Sequence, residues 1–73
     1  MISMEFVYRI EEDSVSVWVK DEKTGQTLMS LELPKEEVVY VARRAIKELD
    51  ITPNEAYDLA VYVNYVRVTW GLL

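Results

Sequence analysis

ITPNEAYDLAVYVNYVRVTW, residues 51–70, decides the fold of this 73-residue chain, because it reads either as one long helix or as a short helix followed by a strand. Its opening is clear. Thr52, Pro53, Asn54 and Glu55 form a capping box: the Thr52 hydroxyl accepts from the Glu55 amide while the Glu55 carboxylate reaches back to the Thr52 amide. Pro53 at the first helical position gives up no hydrogen bond, and Ile51 is placed to staple onto Ala56. From there the helical period yields two stripes. Ala56, Leu59, Ala60, Val63, Val66 and Trp70 make one; Tyr57, Val61, Tyr65, Val68 and Leu72 make the other, and both are apolar. Residues 61–70 also have the composition of a strand, and Asn64 is a residue at which a shorter helix would end. No turn cluster follows Ala60, so the spacing predicts one helix to about residue 69, with a fourth strand over residues 65–70 as the alternative.

Working back toward the N-terminus, the first half reads as a β-meander. Ile2, Met4, Phe6, Tyr8 and Ile10 alternate with Ser3, Glu5, Val7, Arg9 and Glu11, the period-two signature of a strand with one buried face, over about residues 2–11. Val15, Val17 and Val19 repeat the pattern, and Glu12 and Asp13 suit a tight turn. A two-residue turn there sets Val7 against Trp18, Glu5 against Lys20, and Phe6, Tyr8 and Ile10 against Val19, Val17 and Val15. Gly25 supplies the left-handed residue of a three-residue loop with a bulge, which puts Val19 opposite Met29 and Val17 opposite Leu31 in a third strand over about residues 26–33. The outer face then carries Val7, Trp18 and Leu28 among charged residues, either as a stiffening cross-strand cluster or as a face for a partner.

Pro34 stops that strand and opens a helix over about residues 34–49, with Glu36 and Glu37 at its positive end. Val38, Val41, Ala42, Ala45 and Leu49 form its inner stripe, with Ile46 at the flank. Tyr40, Arg43, Arg44 and Lys47 lie outward as the one basic patch, a candidate anion site or a solvated surface. The expected fold is therefore α+β: a three-stranded antiparallel meander followed by two helices on one face of the sheet, a single domain over residues 1–73.

Composition narrows the chemistry. The chain has neither cysteine nor histidine, which removes disulfides, thiol nucleophiles, the commonest general base and the commonest metal ligand. Gly25 and Gly71 are its only glycines, too few for a phosphate-cradling loop. Glu11, Glu12 and Asp13 cluster at the hairpin tip but lack the ligand spacing of a calcium loop. No catalytic, cofactor-binding or metal-binding residue is expected. A net charge of −5 repels nucleic acid and anionic membranes, and Asn64 and Arg67 interrupt the C-terminal apolar run before it reaches membrane-span length. The absence of a leader-like start suits a cytoplasmic protein, and the scarcity of Asn and Gln beside many Glu suits a thermophilic source.

A domain of this size has a marginal core, and oligomerisation is the staple left to it. The functional expectation is a small non-catalytic interaction or regulatory module, homodimeric, with Tyr57, Val61, Tyr65, Val68, Trp70 and Leu72 at the interface because that stripe has no evident resident cover. The alternative is nucleic-acid binding, by Trp18 with Arg9 and Lys20 or by the Arg43, Arg44 and Lys47 patch.

Overall fold

A computed structural model describes residues 3–71, so Ile2 of the predicted first strand and Leu72 of the predicted interface lie outside the described residues. The chain forms β1 (Met4–Ile10), β2 (Ser14–Asp21), β3 (Thr27–Pro34), α1 (Lys35–Leu49) and α2 (Pro53–Thr69). The strands make one antiparallel sheet in the order β1-β2-β3, so the β-β-β-α-α plan holds and the fourth strand does not form.

The register follows from the two turns. Glu12 and Asp13 make the first, closed by the Glu11 amide donating to the Ser14 carbonyl at 2.9 Å, and this pairs Val7 with Trp18 and Glu5 with Lys20. The second loop is one residue longer than predicted. Asp21 donates to the Gln26 carbonyl and accepts from the Gly25 amide, each at 2.8 Å, so Glu22, Lys23, Thr24 and Gly25 form the loop, with Gly25 at φ +74° where an L side chain would be strained. The Asp21 carboxylate holds the turn by accepting from the Lys23 and Thr24 amides. Lys20 then pairs with Thr27 while Val19 pairs with Met29, leaving Leu28 as the extra residue of a bulge that restores the predicted register.

The central strand carries the core. Val15, Val17 and Val19 of β2, with Leu33 of β3, are buried under Val38, Ala42 and Ala45 of α1 and Ala56, Ala60 and Val61 of α2. Alanines on both helices let the two backbones come close, which suits a thin core. Leu49, predicted inward, is instead exposed, because it lies on the last turn of α1. Asp50 follows in the left-handed region at φ 51°, ψ 50°, a conformation that Asp tolerates better than most residues. Ile51 then packs against the core and the capping box starts α2.

A feature absent from the sequence reading ties the two halves together. The Lys35 ammonium, in the first turn of α1, donates to the main-chain carbonyls of Glu11 at 2.8 Å and Glu12 at 3.1 Å. The acidic hairpin tip thus receives a cation from its own chain, and α1 is pinned over the end of β1 and β2.

Candidate functional site

α2 begins as the sequence demands. The Thr52 amide donates to Glu55 Oε1 at 2.9 Å and the Glu55 amide donates to Thr52 Oγ1 at 3.2 Å. These bonds hold the Glu55 carboxyl below the usual carboxylate range. At the other end the Trp70 amide donates to the Val66 carbonyl and Gly71 turns the chain at φ +72°, so the helix runs past Asn64 without a break.

Its two apolar stripes are distributed differently from the expectation. Val61 is 0% exposed, and Tyr57, Tyr65 and Val68 pack against the core. The stripe named as the uncovered interface is therefore largely the stripe the domain covers itself. The reason is geometric: the buried arc runs from Ala56 and Ala60, whose small side chains admit α1, around through Val61 to Tyr65 over the sheet. Phe6 meets the Tyr65 ring edge-on with centroids 5.0 Å apart, and the Tyr65 hydroxyl reaches the Met29 sulfur at 3.7 Å. Hydrophobicity alone does not distinguish two apolar stripes; the sizes of the residues at the close helix contact do.

The opposite arc is left outward. Leu59 is 38% exposed, Tyr62 57% and Trp70 77%, with Val63 and Val66 half-buried between them. Their spacing of three, one, three and four residues places them on one side of the helix. Of the predicted interface residues, Trp70 alone among those described belongs to this surface. Tyr62 also meets Phe6 of β1 edge-on, with ring centroids 6.2 Å apart.

Asn64 sits at the middle of the inward arc, 0% exposed. Its amide nitrogen donates to the Ala60 carbonyl at 2.9 Å, while Oδ1 has no partner. A polar residue thus faces in while a tyrosine and a tryptophan face out, the reverse of an ordinary amphipathic helix.

One further bond fixes α2 on the sheet edge. The Tyr8 hydroxyl donates to Asp58 Oδ1 at 2.6 Å. Burial, and then the bond to the neighbouring carboxylate, push the Tyr8 phenol up to about 12.

On the outer sheet face, Val7 and Trp18 pair as predicted, and the Arg9 guanidinium lies 5.6 Å over the Trp18 ring. Arg9 in turn meets Glu11 at 3.4 Å. The Ser16 hydroxyl donates to the same Glu11 carboxylate, and these two neighbours, Ser16 first, hold Glu11 below its ordinary value. Leu28, on the bulge, has no cross-strand partner and is exposed. A shallow depression of about 360 Å³ beside Trp18 is lined by Ser16, Ser30 and Glu32.

The basic patch of α1 is exposed as expected but is partly neutralised. The Arg44 guanidinium donates to Glu48 at 2.7 Å and to the Tyr40 hydroxyl at 3.3 Å, and these bonds raise its pKa further. Arg43 lines an open groove of about 470 Å³ between α1 and the hairpin tip, where Glu12, Asp13 and Glu36 offset its charge and that of Lys35. Lys47 lies outside that groove. Among the described residues no group of three or more acids is placed to hold a metal ion, and no helix is long and apolar enough to cross a membrane. No family model, curated protein or solved structure matches this chain.

Proposed function

We propose that this chain is a small, non-catalytic protein-interaction or regulatory module that associates, first of all with itself, through the outward face of α2. The observation that carries this reading is the run Leu59, Tyr62, Val63, Val66 and Trp70, an apolar stripe along a helix whose other side already fills the core. Single exposed apolar residues are ordinary, but a stripe that carries a tyrosine and ends on a tryptophan has the composition of a protein contact. Nucleic-acid binding draws less support from the geometry. The Trp18 ring is already covered by Arg9, Arg44 is engaged by Glu48, and the net charge of −5 opposes a polyanion.

Replacing Tyr62 by Lys tests the reading, since its side chain is mostly outside the core. The substitution is expected to abolish association measured by sedimentation or light scattering while leaving the far-UV circular dichroism of the folded chain in place. An unchanged sedimentation profile and unchanged partner capture after Tyr62→Lys would refute it.

A further inference from the structure

We infer that the free edge of β3 accepts an extended segment of a partner protein as an added strand, with a basic side chain of that segment seated beside Trp18 and Glu32. This surface is separate from the outward face of α2, and neither depends on the other.

The two turns decide which backbone groups stand at that edge. In an antiparallel ladder, successive residues turn their N–H and C=O groups to opposite sides of the strand. The Glu11 amide donates to the Ser14 carbonyl, so Ser14, Ser16, Trp18 and Lys20 bond toward β1. Asp21 bonds to Gly25 and Gln26, so Val19, Val17 and Val15 bond toward β3. Their partners Met29, Leu31 and Leu33 therefore spend their backbone groups on β2, and Ser30 and Glu32 turn theirs outward. Both residues are exposed, and among the described residues nothing in the chain bonds to these outward groups. The bulge at Leu28 lies before this stretch, which pairs regularly from Met29 onward. From Met29 to Leu33 the strand has neither lysine nor proline, the residues that commonly blunt an edge. The other edge is less open. On β1, Glu5 and Arg9 carry charges, and Phe6 and Tyr8, whose backbone groups turn to that edge, are met from α2 by Tyr62, Tyr65 and Asp58.

Side chains around the same two residues set the chemistry of the occupant. Ser30 is the edge residue opposite Trp18, and its small side chain leaves the depression lined by Ser16, Trp18, Ser30 and Glu32 open toward an added strand. The polar groups there favour a donor. Ser16 is 7% exposed and gives its hydroxyl hydrogen to Glu11, so only its lone pairs remain to be used. Glu32 enters no ion pair among the described residues. Trp18 adds a ring that already holds one cation, since Arg9 lies 5.6 Å over it from the β1 side. Acceptors beside an aromatic ring, in a chain of net charge −5, fit a positively charged donor on a long apolar stem. That is the side chain of arginine or lysine. Main-chain bonds to Ser30 and Glu32 then set the register of the added strand, and the basic side chain sets its specificity.

The test titrates the full chain, isotope-labelled for amide NMR, with short peptides of alternating valine and threonine that carry one central arginine. The arginine peptide is expected to shift the Ser30 and Glu32 amides and to bind about tenfold more tightly than the same peptide with glutamate in that place. Glu32→Gln should remove most of that preference. Ser30→Pro removes only an outward N–H, so the chain is expected to keep its far-UV circular dichroism and to lose the peptide, whereas Leu31→Pro, which breaks the ladder to β2, should not fold. A peptide N-methylated on the amides that would face β3 is expected not to bind, and this arm needs no variant that might fold poorly. Tyr62→Lys should leave peptide binding unchanged, which keeps this surface distinguishable from the α2 face. Equal binding of the arginine and glutamate peptides would overturn the basic side chain. Absence of shifts at Ser30 and Glu32 up to millimolar peptide would overturn the edge as a partner site. So would a loss of self-association on Ser30→Pro without peptide binding to the parent, because the edge would then belong to a second copy.

Discussion

α1 and α2 lie side by side on the same sheet and are of similar length, but they meet solvent in opposite ways. α1 presents Val38, Ala42 and Ala45 to the core and Arg43, Arg44, Lys47 and Glu48 to water, and its exposed Tyr40, Ile46 and Leu49 stand among or beside these charges. α2 sends Ala56, Ala60, Val61 and even Asn64 inward and still has Leu59, Tyr62 and Trp70 outside. A helix that is apolar around most of its circumference belongs between two layers, and only one layer is supplied by the chain. The difference is the reason the proposed association is placed on α2 and not on the basic face of α1.

Neighbouring residues of α2 give the sharpest way to break that comparison. Val61→Asp places an unpaired carboxylate in the core, a cost of several kcal/mol comparable with the whole stability of so small a domain. No cooperative unfolding transition is expected for this variant in urea. Tyr62→Asp, one residue further on, is expected to lower the stability of the single chain by less than about 1 kcal/mol while removing association. If the two variants behave alike, α2 does not have one resident and one available face.

Asn64 probes the inward side more gently. Its Oδ1 is buried without a partner, and leaving such an acceptor unsatisfied costs about 1–3 kcal/mol. Asn64→Leu keeps the branched shape and is expected to raise stability by about 1 kcal/mol, part of the gain being offset by the bulkier side chain. Chemical denaturation checks it. A loss of stability of the same size would show that Oδ1 is satisfied in solution and that Asn64 supports the core.

The capping box comes next. Thr52→Ala is expected to cost about 1 kcal/mol, measurable by thermal melting near neutral pH. The Thr52 amide first, and then its hydroxyl, hold the Glu55 carboxyl below its ordinary value, so the part of the contribution made by the hydroxyl bond to that carboxylate is present above the unfolded carboxylate range and is lost as pH falls through the lower folded value. The gap between the melting curves of Thr52→Ala and the parent should therefore narrow in acid without closing, because the bond from the Glu55 amide to Thr52 Oγ1 does not titrate.

How far these features could be read from residues differs by region for physical reasons. β1 and β2 alternate with period two around a two-residue turn, and one such turn fixes every pair from Val7 and Trp18 to Phe6 and Val19, so their register was legible. The second loop gained a residue, Glu22, and the bulge at Leu28 took it up again, an exchange that leaves the hydrophobic pattern unchanged and so leaves no trace in it. The capping box and the end of α2 near Thr69 were legible because their signals are local. The orientation of α2 was not. With both stripes apolar, the choice rests on long-range fit: alanines against α1, the Tyr57 and Tyr65 rings over the sheet, and Asn64 buried despite its amide. For the same reason Lys35 bonding to the hairpin tip, across more than twenty residues of sequence, carried no sequence signal.

The smallest expected effect concerns how α2 is held to the edge strand. Tyr8 donates to Asp58 at 2.6 Å, and its phenol is raised to about 12. A raised folded value means that this group's contribution is intact below the unfolded phenol value of about 10, and is lost as pH climbs from there through the folded value. Other tyrosines and the lysines titrate in the same window, so the parent's alkaline melting curve is not diagnostic alone. The difference between the parent and Tyr8→Phe isolates the bond. The gap in melting temperature between them is expected to be small and constant up to about pH 10, then to close by about pH 12 as the parent loses the bond the variant never had. Asp58→Asn keeps an acceptor but removes the charge, so the closure should move to lower pH in that background. A gap that widens with alkalinity instead would mean that Tyr8 is not bonded to Asp58 in solution, and that α2 is held on β1 by the Phe6, Tyr62 and Tyr65 rings alone.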